Sequence, residues 1–242
     1  MTTFQRARSE EQRLERRQSI LQTAVAMLAE MPVSAMSLNE LARRVGLAKS
    51  NVLRYFESRE AVLLDLLDQS ARDFLTEAGE QLCSLVDARD PLNVRIEAAA
   101  SGLAASFATR PMLCELLSAQ AGVLEYNISI EVATRYKEGA RDSLLGLAEL
   151  LRRLFPELER PHSEQGANLI IVLVSGLWTH THPAPAVRAV YDADPSFAFM
   201  DSNFPDALHQ TLCVLLTGLL SRRHHSPERE SPTGPGRCAS GP

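Results

Sequence analysis

Apolar residues recur at intervals of three and four along most of the chain, and nowhere does the alternation with period two of a half-buried strand take hold. The pattern predicts an all-α fold. A first helix covers roughly residues 10–30, with Leu14, Leu21, Ala24, Val25 and Leu28 on one face, and Met31-Pro32 closes it. Leu38, Leu41, Ala42 and Val45 then line one side of a helix of about two turns, Gly46 ends it, and Val52, Leu53 and Phe56 mark the buried side of a third. Longer helices follow. Ser58 starts one that runs to about Leu85 on Val62, Leu63, Leu66, Leu67 and Phe74. Asp90-Pro91 starts another, to about Thr109, with Ile96, Ala99, Ala100, Leu103 and Phe107 at core spacing. Arg110-Pro111 interrupts, the segment MLCELLSAQ follows, and a helix from about Ile128 to Phe155 ends at Pro156 and Pro161.

Two later helices are apolar nearly all round, from Ala167 to Trp178 and from Leu208 to Leu220. A helix without a polar face must be covered on every side. We therefore expect the pair to meet its copies in a second subunit as a four-helix interface, through Leu169, Val172, Leu173 and Gly176 on one helix and Leu212, Leu215, Leu216 and Leu219 on the other. Residues 179–197 read as a proline-interrupted connection between them.

The stretch SLNELARRVGLAKSNVLRYF, residues 37–56, carries the chemistry. Ser37 and Glu40 form an S-x-x-E capping box, with Met36 and Leu41 as the flanking staple. A capped helix, a glycine turn and a second helix together make a helix-turn-helix. At 100° per residue, Val52, Leu53 and Phe56 of the second helix share one side. Ser50, Asn51, Arg54 and Tyr55 spread over the other, and Lys49 stands at the N-terminal end. Asn pairs with adenine, Arg and Lys with guanine, while Ser and Tyr hold phosphates. That inventory suits a helix lying in a DNA major groove. With Ser37 at the cap, these residues are the expected DNA-binding set. Charge agrees modestly: residues 1–60 hold ten Arg or Lys against seven Asp or Glu, in a chain of net charge −5. Arg6, Arg8, Arg13, Arg16 and Arg17 all precede the motif.

Residues 12–74 resemble the N-terminal domain of TetR-family transcriptional regulators, through the helix-turn-helix and on into LRYFESREAVLLDLL, residues 53–67. In that family an aromatic end of the recognition helix is followed by a tight turn, a basic residue and a long connecting helix; here these are Tyr55 and Phe56, Glu57-Ser58, Arg59 and the helix from Glu60 onward. The resemblance implies a phosphate contact for Arg59, where lysine is usual. Leu53 stands where the family often has tyrosine, and Ala48 where a Ser or Thr cap is common, which shifts the expected start of the recognition helix to Ser50. It further implies a three-helix DNA-binding domain (residues 10–74, motif 37–56) and a larger helical ligand-binding and dimerisation domain (75–222). The corresponding function is a homodimeric regulator, by the family's habit a repressor, released from a palindromic double-stranded operator by a small molecule. Phe107, Met112, Leu116, Tyr126 and Trp178 are candidates for an apolar effector site, with Gln120 and Asn127 as polar groups.

What remains excludes more than it adds. Cys83, Cys114, Cys213 and Cys238 are widely spaced and form no C-x-x-C pair, as in a reduced cytoplasmic protein. The polar N-terminus is no signal peptide, and no apolar run reaches the length of a membrane span. Gly-rich phosphate loops, G-x-S-x-G and H-E-x-x-H are absent, so neither an enzyme nor a cofactor is expected. The alternatives are a helical protein-interaction module without DNA readout and a small all-α enzyme. His180 and His182 form H-x-H but find no third ligand, and we assign no metal. Residues 223–242, rich in Pro, Gly, Ser and charge, read as a disordered tail.

Overall fold

The computed structural model describes residues 3–198 and 202–221. Among them are ten α-helices and no strand. Helix α1 (Thr3–Leu28) buries Ile20, Leu21, Ala24 and Met27, whereas Leu14 and Val25, expected on the core face, are exposed. Among the described side chains of α1, those buried in the core of the N-terminal head come from its second half. The expected tail, including His224, His225 and Cys238, lies outside the described residues.

Helix α2 (Leu38–Val45) is capped by Ser37, whose hydroxyl accepts from the Glu40 amide at 3.2 Å. Only that half of the capping box forms. The Glu40 carboxylate turns to Arg43 and Arg44, at 2.6–2.9 Å, and these cations hold its carboxyl down to about 2. Gly46 closes the helix in the left-handed region (φ 74°), with Gly46 N–H donating to the Arg43 carbonyl and Leu47 N–H to Ala42. This paired closure wants glycine because a Cβ is unfavourable at that φ. Helix α3 (Lys49–Val52) starts at Lys49 and not at Ser50: Ala48 occupies the cap position without a side-chain bond. A turn carries the chain through Tyr55 to Phe56.

Helix α4 (Arg59–Leu85), capped by Ser58, runs from the head into the remainder of the fold. There it packs with α5 (Leu92–Ala108), α6 (Pro111–Ala119) and α7 (Ile130–Leu154), while α8 (Arg160–Thr181) rests on α6 and α7. Phe74 of α4 stacks on Phe107 of α5 with ring centroids 4.3 Å apart. The segment expected as a plain connection holds a surface helix, α9 (Pro185–Ala193), with no buried residue. Helix α10 (Phe204–Ser221) closes the bundle against α5 and α8. Among the described residues no helix is long and apolar enough to cross a membrane.

Candidate nucleic-acid interface and effector cavity

Helix α3 and the turn after it expose the polar residues that the sequence places outside, together with one apolar residue that it places inside. Val52 and Phe56 are buried, Lys49, Ser50, Asn51 and Arg54 are exposed, and Tyr55 is half-buried. Leu53 is 42% exposed and so faces the same outside as the polar residues. A polar trench runs beside the helix, lined by Arg13, Arg16 and Ser19 of α1 together with Arg54 and Tyr55. Arg13 and Arg16, among the arginines that precede the motif, thus stand beside Arg54, with Glu15 in the same lining.

Two arginines are used differently. Arg17 turns inward: Nη1 donates to the Tyr55 carbonyl at 2.8 Å, the guanidinium lies 4.1 Å from the Phe56 ring centroid, and Nη2 pairs with Asp65 of α4. One side chain thus fastens α1, the end of the recognition segment and α4. Arg59 donates to the Met36 carbonyl at 3.0 Å and pairs with Glu60 at 3.0 Å. These bonds anchor the entry to α2, and the phosphate contact implied for Arg59 by resemblance would add to or replace them. Ser37 is likewise occupied as a cap.

Within the helical domain α4, α5, α6, α7 and α8 enclose a cavity of about 390 Å³. That lies within the range of small-molecule sites, roughly 300–1,000 Å³. Its wall is chiefly apolar, from Leu67, Phe74, Leu113, Leu117, Leu144 and Ile171. Phe107 and Gln120 reach it as expected. The other five candidates do not line it. Leu116 is buried elsewhere and Met112 is half-buried at the edge of the core. Tyr126 is 63% exposed, and Asn127 takes φ 56°, a left-handed turn position that asparagine tolerates. Trp178 instead stacks on His182 and sets its edge against Phe204 of α10. His182 is thus a ring-stacked helix end, and His180 is exposed.

Polar atoms in the wall are unevenly satisfied. Asp68 Oδ2 accepts from Arg72 at 2.5 Å, but Asp68 Oδ1 is buried without a partner, and so is the Ser143 hydroxyl. Gly139 makes room: a methyl there would strike the Asp68 carboxylate. Burial also pushes the Tyr136 phenol well above its usual range. Sequence reasoning missed Asp68, although a signal existed, since it interrupts the apolar series Leu64, Leu67, Ala71, Phe74 and Leu75.

The head and this domain touch beyond their shared helix. The Val33 amide donates to Glu115 of α6 at 2.6 Å, and the Ser129 amide, at the cap of α7, donates to Glu57 at 2.5 Å. Leu113 and Leu117 flank Glu115 on α6 and line the cavity.

Residues 20–66 match the family model described as bacterial regulatory proteins, tetR family, and residues 69–223 match the tetracyclin repressor-like C-terminal domain. The chain belongs to the TetR family. It is accordingly a DNA-binding transcriptional regulator, with α2 and α3 as its helix-turn-helix. Similar solved structures include the fatty acid degradation regulator FadR of Bacillus halodurans, at 18% identity over 83% of this chain and 97% of that one, TM-score 0.49. A TetR transcriptional regulator of Rhodococcus sp. RHA1 is 14% identical over 87% of this chain and 98% of the other, TM-score 0.49. No curated protein matches the chain.

The expected subunit interface divides. Val172 is 65% exposed and Leu169 38%, and Gly176 lies open. Leu173 and Leu215 are half-buried. Leu212, Leu216 and Leu219 are at most 3% exposed, so they are core of the single subunit and unavailable to a partner. Val214, at 75%, is the exposed large apolar residue of α10.

Proposed function

We propose that this TetR-family protein is a homodimeric repressor that holds a palindromic operator through two copies of α3 and leaves it when a small molecule fills the cavity between α4 and α8. It acts by binding, without turnover. Residues 10–74 would form the DNA-binding unit and 75–222 the regulatory and dimerisation unit. Lys49, Ser50, Asn51 and Arg54 face the grooves, with Tyr55 beside the backbone.

The observation that carries the regulatory half is that one mostly apolar wall holds both the partnerless Asp68 Oδ1 and the partnerless Ser143 hydroxyl. A buried acceptor without a donor is costly, and an effector that supplies the donor removes that cost. The effector is therefore apolar over most of its length and donates a hydrogen bond at one end, as an amine or alcohol does. Its route to the DNA is short. Asp68 stands one turn from Asp65, which pairs with Arg17, and Glu115 between the cavity-lining Leu113 and Leu117 holds the Val33 amide of the head. A coupling of about 1–3 kcal/mol changes DNA affinity about 5–150-fold.

Octylamine, octanol and octyl methyl ether share a chain but differ in donor capacity. The first two are expected to raise the thermal midpoint and release operator DNA at lower concentration than the ether, and Asp68→Ala to erase that difference. An ether as effective as the alcohol, or an unchanged preference in Asp68→Ala, would overturn the assignment.

A further inference from the structure

Among the described residues outside the cavity and the DNA face, one cluster of side chains has the composition and spacing of a metal site. His209 and Cys213 stand one turn apart on α10 and reach toward Glu97 of α5. Cys213 Sγ is 3.6 Å from His209 Nε2 and 3.5 Å from Glu97 Oε2, and His209 Nε2 is 2.9 Å from Glu97 Oε1. Metal–ligand lengths of about 2.3 Å for sulfur and 2.0–2.1 Å for nitrogen and oxygen fix the edges of a tetrahedron around Zn²⁺: about 3.6 Å for S–N, 3.5 Å for S–O and 3.3 Å for N–O. Both sulfur edges agree to about a tenth of an ångström. The N–O contact is shorter by about 0.4 Å and is made by the other carboxylate oxygen, Oε1, so Glu97 turns one oxygen to the shared corner as the metal replaces the hydrogen bond.

We propose that Glu97, His209 and Cys213 bind one Zn²⁺ per chain, with the fourth corner open to water. The donor set, one thiolate, one imidazole and one carboxylate, is that of a borderline metal and not of Ca²⁺ or Mg²⁺, which take oxygen ligands. Entry is unobstructed, since the Glu97 side chain is 66% exposed and His209 29%. On binding, the Cys213 S–H proton and the proton on His209 Nε2 leave to solvent, the neutral imidazole keeping its proton on Nδ1, and the Glu97 carboxylate exchanges its bonds to both side chains for one to the metal. The ion would then join α10 to α5 on the flank of the bundle. A hydrogen-bonded His209–Glu97 pair alone gives no reason for a sulfur at ligand distance from both.

The full-length protein, stripped of metal and titrated with Co²⁺, tests the site. One equivalent is expected to bind with tetrahedral visible bands and a thiolate-to-cobalt charge-transfer band, all displaced by Zn²⁺. Zn²⁺ in excess is expected to raise the thermal midpoint by a few degrees. Cys213→Ser removes the charge-transfer band and Cys238→Ser retains it, which separates this cluster from the thiol near the C-terminus. The exposed substitution Glu97→Gln keeps the helical circular dichroism and weakens Co²⁺ binding by about 100-fold or more, because loss of even an outer-shell partner costs about 10–100-fold. Absence of stoichiometric binding, or a charge-transfer band that survives in Cys213→Ser, would show that the cluster is only hydrogen-bonded.

Discussion

Aspartate in place of Val214 is expected to give a folded monomer whose affinity for a palindromic operator falls by about 100-fold or more. The side chain is 75% exposed in the single subunit, so a charge there meets water and leaves the core intact. On α8, Gly176 adds an open stretch of backbone, whereas Val172, 65% exposed, lies at the rim of the cavity. In a dimer the carboxylate would be buried without a partner, at a cost of several kcal/mol. Two linked DNA-binding heads exceed one head by about 10²–10⁴ in affinity, and that advantage is what the monomer loses. Sedimentation and fluorescence anisotropy check both parts. A variant that remains dimeric, or a monomer with undiminished affinity, would contradict the interface. Val174 would be a misleading choice. It is 0% exposed, and a charge there would unfold the bundle whatever its oligomeric state.

The second large effect is expected from Arg17→Ala. The guanidinium satisfies the Tyr55 carbonyl, lies over Phe56 and pairs with Asp65, and its side chain is 30% exposed. A hydrogen bond to a charged group contributes about 1.5–3 kcal/mol, and partial exposure places this site toward the lower end. Global stability should fall by about 1–2 kcal/mol, a few degrees in midpoint for a protein of this size. DNA binding should fall further, by about tenfold or more, because the lost tie sits between the recognition segment and the helix that carries it. Thermal melting and operator titration on one preparation separate the two. A DNA affinity within twofold of the parent would show that packing alone orients α3.

Local chemistry was the legible part of this chain. Ser37, Gly46 and Ser58 specify helix starts and stops through bonds to their own neighbours, and the structure forms each of them. The polar side of α3 is equally local, since one turn of helix decides which residues share it. Features that depend on partners far along the chain were hidden. Arg17 and Asp65 are 48 residues apart, and Cys213 and Glu97 are 116 apart, so neither pair has a periodic signature. Helices α8 and α10 show the same limit differently. Nearly uniform apolarity says that both must be covered but not by what, and only packing distinguishes Leu212, inside, from Val214, outside. The effector candidates failed for a related reason. Large aromatic residues suggest a cavity wall, yet Trp178 fills space against His182 and Phe204, while small Gly139 and Ala140 help to create the room.

Selection of bound duplexes from a random pool, performed in parallel with the parent protein and Asn51→Ala, tests most directly whether the outer side of α3 reads bases. The parent should enrich a palindromic consensus. The variant should relax it at one symmetry-related pair of positions, by the roughly 1–3 kcal/mol that a bidentate base contact contributes. No enrichment by the parent, or the same consensus at the same strength from both proteins, would contradict a recognition role for that face.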